Sequence, residues 1–224
     1  SRDTRLRARA KPADILVHMD EARQIREFWF GRLPLSPAGL EQRMRFWFGD
    51  GDVERQRRRD AEIRSRFGAL IERAAAGELA HWADSPRRRL SLIVLLDQFP
   101  RNAFRGTARA FAYDAQALEL ALTGMQVGAD AALDPVERLF FYMPLQHAES
   151  HDIQEESVVA FRRLLAEAPE PLRWGFEEAL KAAEMHRQII ARFGRFPHRN
   201  AVLGRPSTPE EEAYLAGEAE RFGQ

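Results

Sequence analysis

The chain has 224 residues, 34 basic against 34 acidic side chains, 45% hydrophobic residues and no cysteine. That length suits one compact domain, and the lack of cysteine excludes disulfides, thiolate catalysis and cysteine-ligated zinc or iron–sulfur centres. The balanced charge argues against a dedicated nucleic-acid or membrane-surface binder, and no apolar run reaches the ~18–20 residues of a transmembrane helix.

The chain begins with a basic stretch, Ser1 to Pro12, that has no hydrophobic period and no apolar core of a secretory signal. Residues 1–18 are expected to be a basic extension, not necessarily native, and residues 19–224 a single all-helical domain. The absence of both cysteine and an export signal points to a cytoplasmic protein. Lys11 and Lys181 are the only lysines. Arginine therefore carries nearly all the positive charge, which fits a GC-rich bacterial coding sequence and also supplies planar forks for bidentate contacts.

From residue 20 the apolar period is helical. Ile25, Phe28 and Trp29 share one side of a first helix that ends in Phe28-Trp29-Phe30-Gly31. Ser36-Pro37 reads as an N-cap followed by a first-turn proline, and Leu40, Met44 and Trp47 continue at helical spacing to Phe46-Trp47-Phe48-Gly49. Each glycine suits a C-terminal cap, and the matched aromatic ends suggest a helical hairpin. Asp52 to Ala76 is a long charged helix with the stripe Val53, Ile63, Phe67, Leu70 and Ile71. Its arginines (Arg55, Arg57, Arg58, Arg59, Arg64, Arg66) alternate with Glu54, Asp60 and Glu62, so they read as a solvated face of local ion pairs.

Ser85-Pro86 opens a helix in which Leu90 and Leu92 to Leu96 leave almost no polar face, so it is expected to be central and buried. Further helices are expected at about 108–123, 135–143, 152–167, 172–193 and 208–221. Asp134-Pro135 with Glu137, and Thr208-Pro209 with Glu211, are capping-box starts. No useful stretch alternates with a period of two, so the fold class is all-α, with about 8–10 helices.

Two segments stand apart from this pattern: Leu96-Asp97-Gln98-Phe99-Pro100-Arg101-Asn102-Ala103-Phe104-Arg105-Gly106 and Arg192-Phe193-Gly194-Arg195-Phe196-Pro197-His198-Arg199-Asn200-Ala201-Val202-Leu203-Gly204-Arg205. Both pass through Phe-Pro to Arg-Asn-Ala and a further arginine, as an internal duplication of a helix-exit element would. Proline is expected to end each helix and hold the preceding phenylalanine extended, the asparagine to satisfy backbone groups at the turn, and the arginine to present its fork beside a buried helix end. In a structural role, Arg101, Arg105, Arg195, Arg199 and Arg205 pair with Asp97, Asp114 and Glu149. In a binding role, Asp97, Arg101, Asn102, Arg105, Arg195, His198, Arg199, Asn200 and Arg205 form a polar site for an anionic small molecule or a peptide carboxylate.

A third polar segment follows Pro144, which is expected to kink or end its helix and leave His147 and Glu149 on irregular backbone. The His147/Glu149/His151 spacing differs from a zincin helix, where the acid is at the second position. His147, Glu149, His186 and His198 remain acid–base candidates, and His147, Glu149 and His186 a looser metal-ligand set. Neither a metal nor a cofactor is expected on balance.

The chain resembles the bacterial family known as domain of unknown function 924. The resemblance rests on Phe28-Trp29-Phe30-Gly31, on Leu95 to Asn102 with Phe104-Arg105-Gly106, and on Asp134-Pro135 with Glu137 to Leu145, His147 and Glu149. It extends through Arg192 to Arg205 with Ser207-Thr208, and covers about residues 20–216. It implies a fold similar to tetratricopeptide repeats, with antiparallel helix pairs stacked in a right-handed array, and it implies no activity. Three functions are therefore expected in descending order: a binding protein with an Arg/His/Asn-lined cavity for a carboxylate or phosphate, an enzyme using a His/Glu acid–base or metal site, and an interaction scaffold using a concave face.

Overall fold

The computed structural model describes the backbone of residues 12–217 and the side chains of residues 21–217. Among these residues all regular structure is helical. The elements are α1 (Pro12–Phe30), α2 (Pro37–Phe48), α3 (Val53–Ala75), α4 (Pro86–Ile93), α5 (Phe99–Ala103), α6 (Asp114–Gln126), α7 (Pro135–Gln146), α8 (His151–Ala166), α9 (Arg173–Phe193) and α10 (Pro209–Gly217). A π-turn over Val94–Gln98 joins α4 to α5, so residues 86–103 run as one helix. Of the extension expected over residues 1–18, residues 1–11 lie outside the described residues, and α1 already begins at Pro12. The end of the helix expected over 208–221 lies outside them as well.

Local chemistry sets most of the boundaries. Ser36 Oγ accepts the Gly39 N–H at 3.1 Å, and Asp134 and Glu137 form a reciprocal capping box. Thr208 Oγ1 accepts the Glu211 N–H while the Glu211 carboxylate accepts the Thr208 N–H, at 3.2 and 2.8 Å. The ends of α1 and α2 meet as the hairpin pattern predicts: Phe28 and Phe46 lie 5.6 Å apart edge to face, and Trp47 Nε1 donates to the Trp29 carbonyl at 2.8 Å.

The apolar helix 86–103 is central. Leu90 and Leu92 to Leu96 are buried, and the helix packs on α1, α3, α6 and α7. Its own Phe99 meets Trp29, which in turn meets Phe140, with ring centroids 5.6 and 5.5 Å apart, a geometry worth about 0.5–1.5 kcal/mol per pair beyond area burial.

Two expectations about proline are corrected here. Phe99-Pro100 does not end its helix: Phe99 has φ −66° and ψ −39°, and Pro100 sits in the first turn of α5. Proline crowds the carbonyl four residues back. In the π-turn the Phe99 N–H reaches five residues back, to Val94, so the helix is already widened where the ring enters. Only the second element behaves as predicted. There Gly194, at φ 70°, closes α9 first, and Phe196 is extended at φ −90° and ψ 104°. Likewise α7 runs through Pro144 to Gln146, because every residue from Val136 to Gln146 is buried and held by packing. The helix expected from residue 108 starts at Asp114, after a short 3-10 turn. Among the described residues no helix is long and apolar enough to cross a membrane.

Candidate functional site

A cavity of about 490 Å³ lies where α2, α3, the π-turn with α5, α7, α9 and the turn Pro197–Arg199 converge. Its lining includes the apolar side chains Met44, Trp47, Phe48, Leu139, Phe140 and Met143. The lining also includes Arg59, Arg101, Arg105 and Arg199 together with His147, His186 and His198. Among the described residues the only acid in the lining is Glu178, which is exposed and held by Lys181 at 2.6 Å.

The two duplicated segments meet at Asp114. Arg101 Nη1 and Nη2 donate to its two oxygens at 2.7 and 2.8 Å, and Arg199 Nη1 donates to Oδ2 at 3.3 Å. Arg101 is also 3.3 Å from the Asp97 carboxylate. Arg105 pairs with Asp60 at 2.8 Å and donates to Asn102 Oδ1 at 3.2 Å, while Asn102 Nδ2 donates to the Gln98 carbonyl at 2.8 Å. Arg59 lies 3.8 Å from Asp60 and donates to the Phe46 carbonyl. Four guanidiniums thus share three carboxylates, leaving one positive charge in excess.

Arg199 and Arg59 are the two of the four whose Nε has no hydrogen-bond partner among the described residues. Arg199 lies between the Phe111 and Phe196 rings, with its guanidinium carbon 4.6 and 4.5 Å from their centroids. It is 6% exposed. Burial, and next the neighbouring Arg101, lower its pKa to about 10, against the opposing pull of Asp114.

Asp97 has no exposed surface and lies behind the cavity wall. Its Oδ1 is 2.7 Å from His147 Nδ1, and its Oδ2 accepts from Gln98 Nε2 at 2.6 Å. Burial opposes its ionisation, but Arg101 and His147 outweigh that cost and hold the carboxyl well below the usual range. His147 is pushed down by burial and then by Arg101, with Asp97 pulling the other way. His186 donates from Nδ1 to the Ala182 carbonyl at 2.7 Å, and burial followed by His147 lowers it to about 3. His198 is likewise lowered to about 3, by burial and then Arg199.

Of the candidates read from the sequence, Arg101, Asn102, Arg105, His147, His186, His198 and Arg199 line the cavity. Arg195, Asn200, Arg205 and Glu149 do not. They build a neighbouring clamp in which Arg195 holds Glu211 through two bonds of 2.7 and 2.8 Å. In the same clamp Arg205 holds Glu149 through bonds of 2.6 and 2.9 Å and donates to Asn200 Oδ1 at 3.0 Å. The His147/Glu149/His186 metal set does not form, because Glu149 is turned to Arg205 and to the Phe196 N–H. Among the described residues no three His, Asp or Glu side chains are arranged to hold an ion. Sequence reasoning missed Arg59, read as part of a solvated face but 8% exposed. Its spacing to Ile63 and Phe67, four and eight residues on, carried the signal.

The structure of a protein of unknown function, ATU0120 from Agrobacterium tumefaciens, matches with a TM-score of 0.72 and 36% identity, covering 88% of this chain and 97% of that one. No curated protein matches the chain. The model of the bacterial protein family of unknown function DUF924 matches residues 25–219, and the chain belongs to that family.

Proposed function

We propose that the cavity binds a small molecule carrying a carboxylate or phosphate on an apolar body, a peptide carboxylate being one such group. The observation that carries this reading is the uncompensated charge: four arginines over three acids, with Arg199 buried and incompletely hydrogen-bonded. A buried cation that lacks a full partner is costly, and an anion entering the cavity removes that cost. The apolar lining residues Trp47, Leu139 and Phe140 favour ligands with a hydrocarbon or aromatic body. A cytoplasmic setting belongs to the same proposal and is supported by the cysteine-free composition.

The test is thermal denaturation with inorganic phosphate, glutarate and 4-phenylbutyrate. A ligand at 100 times its Kd adds about 2.7 kcal/mol, a rise of about 5–11 °C for a domain of this size. We expect 4-phenylbutyrate to exceed phosphate, and Arg199→Met to abolish both effects. No rise with any of the three in the wild-type protein would overturn the reading.

A scaffold role is supported by one observation. Each of α6, α7, α8 and α9 packs on its sequence neighbour, as in tetratricopeptide-like stacking. The helix 86–103 meets four other helices, which a linear stack does not produce, so the proposed array-like part is confined to α6–α9.

A further inference from the structure

We infer that Asp97 and His147 form an acid–base dyad in the cavity wall, in which His147 Nε2 activates water to hydrolyse a carboxylic ester whose anionic tail sits on the arginines. The inference rests on the cavity being a ligand site and adds a reaction to it.

The geometry supplies an oriented base. The Asp97 carboxylate has no exposed surface, is engaged on both oxygens and is flanked by Arg101. An ionised carboxylate only accepts hydrogen bonds, so the proton of the 2.7 Å contact sits on His147 Nδ1 and the lone pair on Nε2. His147 lines the cavity, and among the described residues Nε2 has no hydrogen-bond partner. The imidazole is fixed by more than its ring bond. His147 caps α7, and its carbonyl accepts from Arg199 Nη2 at 3.1 Å, which ties the base to a buried guanidinium of the cavity. Asp97 already has Arg101 as its counter-ion, so charge neutralisation does not explain His147. A general base with an orienting acid behind it does.

Among the described residues the lining contains no serine, threonine, cysteine, tyrosine or lysine, so none of them places a hydroxyl, thiol or amine to form a covalent intermediate. Water is the nucleophile. Nε2 takes one proton from water as the water oxygen bonds to the acyl carbon and the carbonyl electron pair moves onto oxygen. A guanidinium stabilises that oxyanion. When the intermediate collapses, the C–O ester bond breaks and the leaving oxygen takes the proton back from the imidazolium. Ester and water thereby give acid and alcohol, and His147 ends neutral. The charged and titratable groups around His147 are Asp97, Arg101, Asp114, His186, His198 and Arg199. Burial and Arg101 keep its pKa below the ordinary 6.5, so the base form is present at neutral pH.

The test compares 4-nitrophenyl hemiglutarate with 4-nitrophenyl butyrate, which lacks the terminal charge. We expect kcat/KM about tenfold or more in favour of the hemiglutarate, and a loss of about 100-fold or more in His147→Gln. The pH profile should rise to a plateau with its midpoint below 6.5. Asp97 is a positioning residue, so Asp97→Asn should lower kcat more than it raises KM and should displace that midpoint. Should Asp97→Asn fail to fold, diethyl pyrocarbonate labelling of the wild-type protein gives a second readout: glutarate should protect His147 from modification and leave the exposed His151 unprotected. Wild-type hydrolysis no faster than buffer, or His147→Gln within threefold of wild type, overturns the dyad. If phosphate, glutarate or 4-phenylbutyrate still raises Tm in that case, the binding reading stands without it; if all three are silent too, both fall.

Discussion

Asp114→Asn isolates the charge balance of the cavity, because the amide keeps the shape of the acid and removes only its charge. Asp114 takes two bonds from Arg101 and one from Arg199, and the arginine side chains are 10% and 7% exposed. Arg101 would keep Asp97, but Arg199 would have no carboxylate within ion-pair distance among the described residues. Removing one partner of a buried ion pair costs about 3–5 kcal/mol. At roughly 2–4 °C per kcal/mol for a domain of this size, Tm should fall by about 6–20 °C. The same change raises the excess positive charge from one to two, so phosphate and glutarate should stabilise the variant more than the wild type. Loss of stability with gain of anion protection is the signature. A Tm within about 2 °C of wild type, or anion protection that weakens, would refute the charge argument.

Two further outcomes follow from buried groups elsewhere. His186 is held to about 3 in the folded chain, against an ordinary 6.5, so below pH 6.5 the unfolded chain binds a proton that the folded chain refuses. Its contribution to stability is complete above that value and declines as pH falls toward 3, by up to ~1.4 kcal/mol per pH unit. In urea titrations between pH 5 and 6.5, His186→Gln should flatten this slope, and an unchanged slope would show that the imidazole titrates freely. In α6, a Cβ added to Gly124 would meet Phe141 Cζ at 2.5 Å and Arg89 Cδ at 2.8 Å. Phe141 is wholly buried and cannot give way. Gly124→Ala should therefore lose ~1–3 kcal/mol through overpacking, outweighing the ~1 kcal/mol of helix propensity it gains. A more stable variant would contradict the close approach of α6 and α7.

The all-helical class, the starts at Ser36, Asp134 and Thr208, and the central place of the apolar helix from residue 86 were legible in the sequence. Each depends on side chains within about four residues of one another, where capping and periodicity act. The same local logic placed His147 and Glu149 on irregular backbone correctly, but it misjudged where two helices end: the π-turn before Pro100 makes room for its ring, and buried packing carries α7 past Pro144 to Gln146. Which arginines enter the cavity was decided by tertiary structure alone. Arg199 reaches Asp114 across 85 positions and His147 reaches Asp97 across 50, while Arg195 and Arg205 from the same motif are drawn to Glu211 and Glu149 instead. With 34 acids in the chain, a guanidinium pairs with whichever carboxylate the packing of helices brings within its reach. That distance is set by the folded backbone, and the spacing of residues along the chain does not encode it.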